Sequence, residues 1–152
     1  ERRRPSLIAV NKWDLVEKDT QTAKRFEDAI AARLGLYDFL PVIFVSALSR
    51  QRIGKVISTA KEIHAEQIKR IKTTELNETL LHEIQRNPPK SSSPKEIKIK
   101  YVTQVKSKPP VFAFFCNEPK LVQETYRRFL SNRIRLHFGF RGVPLTLVFK
   151  EK

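Results

Sequence analysis

Methionine is absent from all 152 residues, including position 1, so the chain reads as a piece of a longer protein. Cysteine occurs once, at Cys116; no internal disulfide can form, which fits a reducing cytoplasm. Glycine occurs four times, too sparsely for a phosphate-cradling loop. Gly54-Lys55 lacks both the earlier glycine and the following Ser or Thr of such a loop, and no Asp-x-x-Gly is present. His64, His82 and His137 do not fall at metal-ligand spacing, and no Ser-His-Asp set or carboxylate pair is evident, so neither catalytic nor metal-binding residues are expected. No apolar run approaches the roughly 18 residues that cross a bilayer, and the basic start has no apolar signal region behind it. Acidic side chains are scarce: 16 against 30 Lys and Arg, a formal charge of +14 and a pI near 10.2.

That imbalance sits mainly in the second half. Residues 1–70 hold 14 basic and 9 acidic side chains, and residues 71–152 hold 16 and 7, giving +5 and +9. Such a surface attracts polyanions, and without an amphipathic anchor nucleic acid is favoured over membrane. With 40% hydrophobic residues, the chain suits one ordinary domain or two small ones.

The most informative stretch is Leu7-Ile-Ala-Val10 followed by Asn11-Lys12-Trp13-Asp14. An apolar run ending in three polar side chains reads as a buried strand delivering them to a loop at its carboxyl end, where open α/β sheets bind ligands. An ionised Asp14 is acceptor-only, and its two oxygens match the adjacent N1–H and N2 amino donors of guanine. Adenine has no such edge. Lys12 can lay its stem over the base, and Asn11 can tie the loop to its neighbours. A second apolar run, Val42-Ile-Phe-Val45, leads into Ser46-Ala47-Leu48, which can aim a backbone N–H at guanine O6. Trp13 suits either shielding the base or packing.

Between these runs Ala23, Phe26, Ile30 and Leu34 fall at helical spacing before Gly35, predicting a helix over about 20–35. Ile53, Val56, Ile57, Ala60, Ile63 and Ile68 extend the same period to about residue 70. The first part is thus βαβα with a parallel pair and a right-handed crossover, and two strands are too few for a stable doubly wound sheet.

A new segment starts near Thr73 and Thr74, the expected N-caps of a helix with Leu76, Leu80, Leu81 and Ile84 on one face, stopping before Pro88-Pro89. Lys90–Lys95 is a polar connector. Ile97, Ile99, Tyr101, Thr103 and Val105 alternate with Lys98, Lys100, Val102 and Gln104, predicting a strand whose second set is wet. Lys106–Pro110 reverses the chain into Val111–Phe115. A helix ending near Phe138, with Tyr126, Phe129, Leu130 and Ile134 inward, precedes a closing strand, Leu145–Phe149. The expected fold class is α/β in two parts: βαβα over 1–71, then an α+β unit over 72–152 ordered αββαβ, a three-stranded sheet with helices on one face.

Asn-Lys-x-Asp with Ser-Ala about thirty residues later resembles the fourth and fifth guanine-binding motifs of Ras-like GTPases. The tail, with Leu76-Asn77, Pro88-Pro89, Thr103-Gln104-Val105, Pro109-Pro110, Tyr126-Arg127-Arg128-Phe129-Leu130, Asn132-Arg133 and Phe138-Gly139-Phe140-x-Gly142-x-Pro144, resembles the carboxyl-terminal KH-like domain of the bacterial Der (EngA) GTPases. The resemblance covers essentially the whole chain. It implies that 1–71 is the carboxyl-terminal half of a GTPase domain and 72–152 the KH-like domain. It also implies guanine binding by Asn11, Lys12, Asp14, Ser46 and Ala47. For the full-length protein it implies GTP or GDP with Mg²⁺, cytoplasmic location, and action in large ribosomal subunit assembly. Without the phosphate loop and switches, this piece alone is expected to lack GTP hydrolysis and to bind at most weakly to guanine nucleotides.

For contact with ribosomal RNA the candidates are Lys98, Lys100, Arg127, Arg128, Arg135 and Arg141, with Lys106, Lys108 and Arg133 as further members of the basic set; Arg133 lies near the apolar stripe and equally suits a structural pair. Gly139-Phe140-Arg141-Gly142 matches the Gly-x-x-Gly of KH domains literally, but in that fold the loop joins two helices. Here a strand comes next, so a helix stop and turn is expected. Two other readings stand beside this one: a standalone RNA-binding module, and an interaction domain whose sheet packs on the upstream GTPase domain of the same chain, regulating it without touching RNA.

Overall fold

The computed structural model describes residues 4–35, 38–90 and 94–151. Ser91–Ser93, at the centre of the expected polar connector, and Glu1–Arg3 of the basic lead-in lie outside the described residues. The described residues divide into two units, one within 4–65 with 141–143, the other within 66–140 with 144–151.

In the first unit β1 (Ile8–Val10) and β2 (Val42–Phe44) pair in parallel, Ile8 opposite Val42 and Val10 opposite Phe44. Parallel strands need a crossover, and α1 (Thr22–Leu34) supplies it. Gly35 closes α1 at φ +53°, its N–H donating to Ala31 O. A left-handed residue is what a helix stop of this kind requires. The core is aromatic: Trp13 stacks on Phe44 at 4.2 Å between centroids and meets Phe26 edge-on at 5.3 Å.

One expectation fails in this unit. β1 is not buried: Ile8 and Val10 are half-buried and Ala9 is exposed. On α2 (Ile53–Ile68) only Thr59 and Ile63 are buried, while Ile57 is 56% exposed and Ile53 and Ile68 also reach solvent. The cause is common to both. The sheet of this unit has two strands among the described residues, so apolar positions at sheet and helix spacing have too little sheet to cover them.

The second unit runs α3 (Thr73–Arg86), β3 (Ile99–Ser107), β4 (Pro110–Cys116), α4 (Glu124–Phe138) and β5 (Thr146–Glu151). Its sheet has the order β3-β4-β5; β3 and β4 form an antiparallel hairpin, and β5 lies parallel to β4. This is the expected αββαβ. Leu76, Leu80 and Ile84 of α3 recur every four residues, as do Leu130, Ile134 and Phe138 of α4, and all six are buried with Val102, Phe112 and Phe114 of the sheet. Lys72, rather than a threonine, occupies the N-cap of α3; the Thr73 hydroxyl instead meets that of Thr103 at 3.3 Å.

Lys98 and Lys100 are exposed and Ile97 is buried, as expected, but from Tyr101 onward the faces of β3 are largely reversed. Val102 and Gln104 are buried, whereas Tyr101 is 37% and Val105 50% exposed. Register shifts between Ile99 and Tyr101 and between Gln104 and Lys106 break the strict alternation. Gln104 tolerates burial because both ends of its amide are bonded: Oε1 accepts from Ile71 N–H at 2.8 Å and Nε2 donates to Lys69 O at 2.9 Å.

Asn77 does the equivalent work on the outer side of β3. Its Oδ1 accepts from Val102 N–H at 2.9 Å, and its Nδ2 donates to Val102 O at 2.8 Å and to Thr73 O at 2.6 Å. One side chain therefore stands in for a neighbouring strand and blunts the edge. Asn77→Ala should lower stability by about 2 kcal/mol, the typical cost of leaving such groups unpaired. Asn77→Asp should cost more, since a carboxylate cannot donate to the two carbonyls; urea unfolding of both variants measures this.

Candidate functional site

The loop after β1 and the loop after β2 are joined by one atom. Asn11 Oδ1 accepts from the Lys12 N–H at 2.8 Å and from the Ala47 N–H, 36 residues away, at 3.1 Å. Lys12 occupies the left-handed region, φ +63°, opening a single 3₁₀ turn at Trp13–Leu15. The turn is pinned to the sheet because the Trp13 N–H donates to Val45 O at 3.0 Å while the Val45 N–H donates to Val10 O at 2.8 Å. Burial of Trp13 against Phe44 assigns it to packing, which leaves the polar residues on either side of it, Lys12 and Asp14, exposed.

Ser46 is fully buried beneath these exposed groups. Its hydroxyl is the main cause that holds the Asp14 carboxyl below its usual value, followed by a backbone hydrogen bond at Asp14 itself, with Lys18 and Lys12 adding smaller effects. Asp14 therefore stands as a carboxylate, acceptor-only, at neutral pH. Ser46 Oγ also accepts from the Ser49 N–H at 3.1 Å, and the Ser46 N–H donates to Gln51 O at 3.2 Å. The five sequence-selected residues Asn11, Lys12, Asp14, Ser46 and Ala47 thus meet across two loops. In this conformation the Ala47 N–H is used by Asn11 rather than pointing unpaired at a ligand.

Sequence reasoning missed the turn after Ala47. Leu48 is 88% exposed, and Arg50 and Arg52 sit at φ +58° and +60°. The Ser46-x-x-Ser49 spacing of a hydroxyl-capped turn was the available signal.

The basic candidates of residues 72–152 do not behave alike. Arg127 is half-buried, lies over the Phe149 ring at 4.5 Å and donates to Val122 O at 3.3 Å. Arg135 donates to Phe140 O at 2.6 Å. Arg133 pairs with Glu83 at 3.5 Å and covers Phe129 at 5.1 Å, the structural alternative. Lys98 lies outside β3, so it does not share a strand face with Lys100, and it pairs with Glu96 at 3.1 Å. Lys100, Arg128 and Arg141 are exposed.

The Gly-x-x-Gly segment joins α4 to β5, a helix to a strand. Its backbone is already engaged: Lys69 Nζ donates to Phe138 O at 2.7 Å, the Gly139 N–H to Arg135 O at 2.9 Å, and the Phe140 N–H to a Glu66 carboxylate oxygen. A carboxylate at that amide repels phosphate. Among the described residues no group of three His, Cys, Asp or Glu is placed to hold a metal, and no helix is long and apolar enough to cross a membrane.

Comparison with known proteins bears on both units. A family profile described as the KH-domain-like region of EngA bacterial GTPase enzymes, C-terminal, matches residues 70–150. Over all 152 residues the chain is 45% identical to the GTPase Der of Chlorobium phaeovibrioides and 47% to that of Chlorobaculum tepidum, spanning 35% of each relative. It is 45% identical over 146 residues to the GTPase Der of Cytophaga hutchinsonii, spanning 34% of it. The chain thus spans about a third of the length of the curated relatives it matches.

Proposed function

The chain belongs to the EngA family of bacterial GTPases, whose carboxyl-terminal KH-like domain it carries, and from that premise we propose that it is the guanine-reading and ribosome-facing end of a cytoplasmic GTP-binding protein. In this reading residues 1–71 complete a Ras-like GTPase domain and residues 72–152 form the KH-like domain. The observation that carries the first half is the joining of the two loops by Asn11 with an exposed, ionised Asp14 over buried Ser46. Asp14 accepts from guanine N1–H and N2–H, the Lys12 stem covers the ring, and Asn11 fixes the loop that holds Ser46 and Ala47.

This donor and acceptor set fits a base and not a triphosphate. GTP or GDP with Mg²⁺ belongs to the full-length protein, whose phosphate loop and switches lie outside this sequence; when bound, Mg²⁺ neutralises charge on the transferring phosphate. The purified chain alone should not turn over GTP.

For the second half, the +9 charge of residues 71–152 and the exposure of Lys100, Arg128 and Arg141 support contact with ribosomal RNA of the large subunit. Co-sedimentation of the full protein with large subunits tests it. Reversing Lys100 and Arg128 together should weaken binding tenfold or more at low salt and flatten the log–log salt dependence by roughly 2. Arg127 and Arg135 are poor choices for reversal because their guanidinium groups hold the fold. No association, or association with any RNA alike that is lost in salt, would favour a second reading, a contact with the upstream GTPase domain. The observation behind that alternative is the uncovered side of β3, where Tyr101 and Val105 stand half in solvent.

A further inference from the structure

In the β3-β4-β5 sheet, paired residues share a face and successive ones alternate between faces. Val102, Phe114 and Phe149 form a row across the three strands on the helix-covered face, where the rings are used on each other: Phe114 and Phe149 stack with centroids 5.2 Å apart and planes at 17°. The neighbouring row, Tyr101, Phe115 and Lys150, points the other way. Tyr101 is 37% exposed, Phe115 half-buried and Lys150 exposed. The two rings lie 5.7 Å apart and are tilted by 48°, so their faces are not laid against one another.

A second row of the same face runs through Lys106, Val111 and Thr146, because the register shift after Gln104 brings Lys106 opposite Val111. Lys106 is exposed. Among the described residues neither Lys106 nor Lys150 is in an ion pair, unlike Lys95 and Lys98. An aromatic pair is therefore flanked by unpaired ammonium groups at two diagonal corners. Strand spacing and rise put those corners roughly 16 Å apart, far enough for phosphates on either side of a base or two seated on the rings.

We infer that this face is a stacking platform for unpaired RNA bases, with Tyr101 and Phe115 taking the bases and Lys106 and Lys150 the neighbouring phosphates. This rests on the ribosomal-RNA reading above and narrows it to single-stranded segments. Unstacked bases offer flat apolar faces that settle on aromatic rings with little regard to sequence, whereas a duplex hides them. An uncovered apolar face also suits contact with the upstream GTPase domain, but two unpaired lysines, with no acidic side chain in either row, complement phosphate.

Fluorescence anisotropy of the full protein with a labelled oligoadenylate dodecamer tests this, in GDP and separately in a non-hydrolysable GTP analogue. The parent should prefer it at least about tenfold over a dodecamer of tetrahydrofuran abasic sites, which keeps the phosphates and has no bases. Tyr101→Leu should weaken oligoadenylate binding about tenfold, with the abasic strand and the salt dependence unchanged, and Tyr101→Phe should restore it. Tyr101→Leu keeps an apolar side chain and should melt with the parent. Lys106→Ala and Lys150→Ala together should weaken both strands and flatten the log–log salt dependence by roughly 1.4, about 0.7 for each phosphate on a single strand. Oligoadenylate affinity within twofold of the parent in Tyr101→Leu, or equal affinity for the two strands, would overturn the platform; large subunits still released by reversal of Lys100 and Arg128 would leave the ribosomal-RNA reading standing. No binding of oligoadenylate by the parent in either nucleotide would overturn the platform too and assign the face to the upstream domain. If the Lys100 and Arg128 reversal is also without effect, the ribosomal-RNA reading falls and the platform with it.

Discussion

Asp14→Asn in the full protein is expected to move nucleotide preference from guanosine toward xanthosine diphosphate by a factor of roughly 10³ or more. Donors and acceptors decide the direction. A carboxylate offers acceptors only, which suits the two donors at N1 and N2 of guanine. Its replacement by an amide puts an N–H₂ group opposite the guanine 2-amino group and leaves two donors facing each other. Xanthine carries a carbonyl at that position, so the amide nitrogen finds an acceptor there and the amide oxygen keeps N1–H. Ser46 does not oppose the exchange, since a hydroxyl can donate or accept. Competition calorimetry with the two diphosphates reads the ratio. Equal loss of both nucleotides from a folded variant would assign Asp14 to loop structure and not to base choice.

Gly142→Val should destabilise the fold by about 2–5 kcal/mol. Gly142 is buried at φ +72°, and a Cβ there would lie 2.7 and 2.8 Å from Ile63 Cδ1 and Cγ1 and 2.9 Å from the Ser6 carbonyl oxygen. The first contribution, about 1–2 kcal/mol, is the left-handed backbone. The second, about 1–3 kcal/mol, is overpacking, and it cannot relax cheaply. Moving the residue would stretch the bonds from the Ser6 N–H to Gly142 O, 2.9 Å, and from the Gly142 N–H to Phe39 O, 3.0 Å. Gly35→Ala provides the comparison: φ is +53° but nothing lies within 4 Å of the added carbon, so only the conformational cost applies. Denaturant midpoints of the two variants should separate the two contributions, and equal shifts would show that crowding at Gly142 is negligible.

The meeting of the two polar loops was legible in sequence because the residues of each are contiguous: four after an apolar run, and Ser46-Ala47 after another. The αββαβ order was legible for a similar reason, as helix stripes such as Leu76, Leu80 and Ile84 change to the short apolar run of β4. The facing of β3 from Tyr101 onward was not. Both of its alternating sets contain apolar residues, the bulges break the alternation, and the decisive fact is that Gln104 finds Lys69 O and Ile71 N–H. Hydropathy cannot see a satisfied amide. The roles of Arg127 and Arg135 were hidden likewise, because a cation folded onto Phe149 or bonded to Phe140 O has the same letter as one awaiting phosphate. Exposure of Ile57 and Ala9 was legible only in outline, from the count of two strands.

The Phe138–Phe140 segment is a turn by sequence, yet Lys69, Arg135 and Glu66 occupy its backbone groups. Amide protons in such a segment exchange with solvent only when the residues holding them also let go. On a hydrogen-exchange timescale the glycine-flanked turn therefore belongs with the helices, and its slow amides report the opening of the end of α4.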